Sequence, residues 1–128
     1  MLVLLFTTVV DWEKSLTKLA KLTEKRRAMA VLESFEEEGG DALRTPLTLD
    51  RYLERIHVVG PAAAPLSKAV ISATFARRME AEVREAFATP GAKSEQVLEN
   101  FQMFVSVAAD QLGIAIGQMG DYLHMGSR

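Results

Sequence analysis

Cysteine is absent from this 128-residue chain. That excludes a disulfide scaffold, a thiol nucleophile and a cysteine-ligated zinc or iron–sulfur centre. Histidine occurs only twice and tryptophan once, and aromatic residues make up 7% of the chain. Neither sign of charge dominates: 15 Lys and Arg stand against 17 Asp and Glu, a formal charge of −2. The chain as a whole is therefore no polycation built to coat nucleic acid. The sequence also lacks G-x-S-x-G, G-x-x-x-x-G-K-[ST] and H-E-x-x-H, and no glycine-rich loop follows a strand-like segment. What remains is 48% hydrophobic and 25% charged, the balance of one globular domain spanning residues 1–128.

Met1–Val10, M-L-V-L-L-F-T-T-V-V, is the most hydrophobic stretch. No basic residue precedes Leu2, and Thr8-Val9-Val10 is not a small-residue cleavage site, so a signal peptide is the weaker reading. The run is also well short of the ~20 residues that span a bilayer. Its Val, Thr and Phe content and unbroken apolarity predict a buried strand over Leu2–Val10. Asp11 then caps a helix beginning beside Trp12 and running toward Glu38, with Gly39-Gly40 as its stop. Trp12, Leu16, Leu19, Ala20 and Ala30 fall on one side of that helix. Lys14, Lys18, Lys21 and Lys25 fall on the other, and Arg26 and Arg27 follow.

Four like charges at this spacing repel slightly, so the stripe reads as a solvated face or as a site for something anionic. An RNA or DNA backbone, or an acidic protein patch, would suit it. Without interleaved aromatics, base-specific single-strand recognition is not expected.

Ile56–Val59, β-branched and closed by Gly60-Pro61, predicts a second strand. With Leu2–Val10 and the intervening helix it makes a βαβ-like half over residues 1–60, set against a helical half over 61–128. The expected fold is α-rich α/β, a small sheet covered by three long helices. The alternative is an all-α bundle with an extended N-terminal arm. A helix introduced by Pro65 is predicted to run to about Ala88, and Ser94 to cap a last helix.

That last helix carries a narrow polar stripe of Glu95, Glu99, Gln102, Ser106, Asp110, Gly113, Gly117, Asp121 and His124. The remainder of its circumference is apolar, more than one small domain easily covers. A second copy covering part of it is the economical answer. Val105, Ala109, Leu112, Gly113, Ile116 and Gly117 are the expected interface, with Ala109, Gly113 and Gly117 admitting close backbone approach.

Glu54-x-x-His57 and Asp121-x-x-His124 repeat a carboxylate-x-x-His spacing that holds metal pairs in helical bundles. Glu80 and Glu99 are the further carboxylates such a site would need, and both sit in polar stripes. With so many acids in the chain, chance matches are easy, so no metal or cofactor is expected. The resulting expectation is a cytoplasmic, non-enzymatic, homo-oligomeric (dimeric) structural or assembly factor without membrane contact. An accessory protein of a virion or other nucleoprotein assembly would fit it. A small metal-dependent enzyme and a monomeric interaction module are the rivals.

Overall fold

The computed structural model describes residues 2–24, 43–53, 60–88 and 91–126. Among these residues the structure is helical, with no strand. The helices are α1 (Leu2–Glu24), α2 (Leu47–Leu53), α3 (Ala63–Arg78), α4 (Glu80–Ala88) and α5 (Ala92–Gly126). The expected α/β architecture is thereby overturned, and the extended arm of its all-α alternative goes with it. Leu2–Val10 is the first part of α1. Ile56–Val59, the other expected strand, lies outside the described residues.

A helix forms at the N-terminus because its buried residues keep helical register. Leu5, Val9, Trp12, Leu16 and Leu19 are buried and follow one another at steps of four and three, one stripe along a 3.6-residue period. Leu4 and Thr7 point to solvent, whereas a strand covered on both faces would hide both. Asp11 lies mid-helix and exposed, so it is no cap. Thr8 Oγ1 and Ser15 Oγ instead donate to the carbonyls of Leu4 and Asp11, the local bonding that keeps hydroxyls tolerable inside a helix.

Gly60 adopts φ 61°, a left-handed conformation natural to glycine, and the chain turns there into α3. The segment expected as one helix to Ala88 divides at Met79. The Met79 N–H donates to both Phe75 O and Ala76 O, at 3.3 and 3.1 Å. Val83 N–H then returns to Met79 O at 2.8 Å. Arg77 and Arg78 sit in the last turn of α3, and Glu80 and Glu82 in the first turn of α4. Each pair complements the dipole of its own helix end, which explains why the break falls here. The last helix starts at Ala92, with Glu95 N–H bonded to Gly91 O, so Ser94 lies inside it rather than at its cap.

At 35 residues, α5 is the element on which the others lean: α1, α3 and α4 all pack against it, while α2 lies against α1. Its core stripe is Phe101, Val105, Ala108, Leu112, Ala115 and Met119, again at steps of four and three. From α3 it receives the small face of Leu66, Ala69, Ala73 and Ala76, which lets the helices approach closely. Phe104 on one flank stacks on Phe75 of α3 (ring centroids 5.5 Å apart, planes at 24°). On the other flank Gly120 faces Phe6 of α1. Among the described residues, the α5 surface opposite the core stripe is exposed at Met103, Val107 and Ile114.

Candidate interaction surfaces

The lysine face follows from the burial of α1. With Leu5 to Leu19 turned inward, Lys14, Lys18 and Lys21 project outward and are exposed. They span about 10 Å of helix. Lys25, Arg26 and Arg27, which would extend the face, lie outside the described residues. Asp11 is exposed beside the lysines, and Glu13, half-buried, accepts a hydrogen bond from Thr17 Oγ1 at 3.0 Å.

The expected oligomer interface divides in two. Val105, Ala109 and Leu112 belong to the chain's own core and are not available to a second copy. Gly113 and Gly117 are exposed, and a Cβ built on either would meet nothing within 4 Å. Ile116 is half-buried against the core cluster. The surface left open on α5 is instead a second stripe at steps of four and three: Met103, Val107, Asp110, Ile114, Gly117 and Asp121. Met103 is 49%, Val107 38% and Ile114 50% exposed, and Asp110, Gly117 and Asp121 are exposed beside them. Met103, Val107 and Ile114 were not among the residues expected at the interface, because an apolar circumference does not separate its open side from its core side. Stepping outward from the core residues by half a turn finds all three. Phe75 of α3, stacked on Phe104, and Ile71, one turn before it, are also exposed.

The expected polar stripe of α5 does face water at Glu95, Glu99, Asp110 and Asp121, while Gln102 and Ser106 are half-buried. Gln102 Nε2 donates to Ser106 Oγ at 2.9 Å.

Between α1 and the start of α2 lies an open cleft of about 540 Å³, lined by Thr8, Asp11, Trp12, Ser15, Arg44, Thr45, Pro46 and Leu47. It holds one cation, one carboxylate and three hydroxyls, of which Thr8 and Ser15 already bond their own helix. No nucleophile–base pair is placed by those contacts. Of the carboxylate–histidine candidates, Glu54 and His57 lie outside the described residues, as does the His124 side chain. Asp121 and Glu99 are exposed, and Glu80 is paired with Arg84 at 3.0 Å. Among the described residues no three His, Asp or Glu side chains converge as a metal site. None of the described helices is long and apolar enough to cross a membrane. No family model matches the chain, and no curated protein or solved structure matches it either.

Proposed function

We propose that the chain is a non-enzymatic assembly protein of the cytoplasm, or of a particle built there, that works by associating with copies of itself. The observation carrying this reading is the open α5 stripe, where Met103, Val107 and Ile114 are exposed along one line. Single exposed apolar side chains are ordinary, but three aligned on one helix face, with Asp110 and Asp121 among them, suit a contact surface. The lysine face adds a second, electrostatic contact, to an RNA or DNA backbone or to an acidic protein surface. A virion or nucleoprotein particle is a setting in which both contacts would operate.

Size-exclusion chromatography with light scattering, recording absorbance at 260 and 280 nm, tests the reading. A mass at a multiple of 14.1 kDa is the expected result. A monomer at every concentration would overturn it. Excess 260 nm absorbance lost in high salt would identify nucleic acid on the lysine face, because phosphate contacts weaken steeply with salt.

A further inference from the structure

We propose that the anionic surface met by the lysine face is the open stripe of α5 on a second copy of this chain, so that copies join by a crossed α1-to-α5 contact. This rests on the self-association reading and specifies its geometry.

Charge is unevenly distributed between the two helices. From Ser94 to Ser127 the chain contains no Lys or Arg. Glu95, Glu99, Asp110 and Asp121 are all exposed on that helix. On α1 the outward positions Lys14, Lys18 and Lys21 are basic and equally exposed. A near-neutral chain thus carries separated faces of opposite sign on two helices. Two copies meeting α5 to α5 would set carboxylate against carboxylate, and α1 to α1 would set ammonium against ammonium. The crossed pairing complements both faces, and complementarity of this kind selects partner and register.

The shapes agree with the charges. Lysine stems are apolar and lie readily along apolar surface while the ammonium reaches outward. Met103, Val107 and Ile114 supply that surface, and Asp110 and Asp121 alternate with them to receive the ammonium groups. Gly113 and Gly117 leave open space where side chains would otherwise stand, room for the stems of an incoming helix. If both faces of two copies pair with each other, the result is a closed two-fold dimer; if each copy uses its two faces on different neighbours, the contact is heterologous and generates rings or filaments.

The test uses two variants of the full chain, Lys14/Lys18/Lys21→Glu and Asp110/Asp121→Lys. Every position altered is exposed, and circular dichroism checks that the helices persist. Lys→Ala and Asp→Asn versions replace any variant that fails to fold. By light scattering each variant alone is expected to dissociate, with an apparent dissociation constant raised by about tenfold or more. An equimolar mixture of the two is expected to recover the wild-type mass, since each then offers the face the other lacks. A control carrying the same charge change on α3, Lys68/Arg77/Arg78→Glu, is expected to keep wild-type association.

If the wild type associates while the lysine variant keeps its mass, the crossed contact is overturned and self-association stands. If that variant loses only its 260 nm absorbance, the lysine face belongs to nucleic acid and the proposal fails. If the mixture stays monomeric, or the α3 control dissociates equally, the pairing is wrong. A monomeric wild type overturns self-association and the crossed contact together.

Discussion

Leu4 and Leu5 are chemically identical neighbours with opposite fates: Leu4 is 61% exposed and Leu5 is fully buried. Truncating Leu5 to Ala removes its branched end from a site enclosed by the α1–α5 core, leaving a cavity that neighbours only partly fill. Such truncations cost about 2–5 kcal/mol. Single domains have roughly 5–15 kcal/mol of stability in all. For a domain of this length each kcal/mol lowers Tm by about 4 °C, so Leu5→Ala is expected to lower it by about 8–20 °C. Leu4→Ala removes atoms already in water and is expected to change stability by less than about 0.5 kcal/mol. Thermal unfolding followed by circular dichroism, at one fixed protein concentration because association raises Tm, compares the pair directly. A strand covered on both faces would bury both leucines. Similar losses from the two substitutions would therefore refute the helical register of the N-terminus.

Gln118 has a buried Oε1 without a hydrogen-bond partner among the described residues, so Gln118→Leu is expected to stabilise the fold by about 1 kcal/mol. A lower urea midpoint would contradict that. Gly113→Ala fills open space on an exposed helical position and should add about 1 kcal/mol through helix propensity. Measured at a concentration where the chain is dissociated, a fall in Tm would mean that its own chain covers the position. Arg84→Ala breaks an ion pair whose arginine is half-exposed, and should cost no more than about 0.5 kcal/mol in low salt. A larger loss would show that Arg84 is held by more than Glu80.

The long amphipathic pattern of α5 was readable because its polar positions recur over about eight turns and no proline or glycine pair interrupts them. The N-terminal segment was not, since ten residues interrupted only by Thr7 and Thr8 carry no clear period of their own. The missing signal lay just beyond the run. Trp12, Leu16 and Leu19, continued backwards at steps of three and four, reach Val9 and Leu5. The interface residues were misplaced for a related reason. A helix apolar over most of its circumference does not declare which part meets its own chain, so Val105, Ala109 and Leu112 were drawn outward when they form the core. The break at Met79 was foreshadowed by Arg77-Arg78 followed by Glu80 and Glu82, a charge order that suits an end and a beginning better than a continuous helix.

The packing of α1 on α5 also sets the order in which the protein folds. Helices α3, α4 and α5 follow one another closely, and their contacts close over short loops. Joining α1 to α5 encloses roughly seventy residues, a distant pairing whose entropy must be met before any reward. The α3–α5 hairpin is therefore expected to gather first, with α1 arriving last. During synthesis α1 leaves the ribosome long before its partner exists, and its Leu5–Leu19 stripe remains without α5 for most of translation. Over that interval the nascent chain offers chaperones the surface that the finished protein hides.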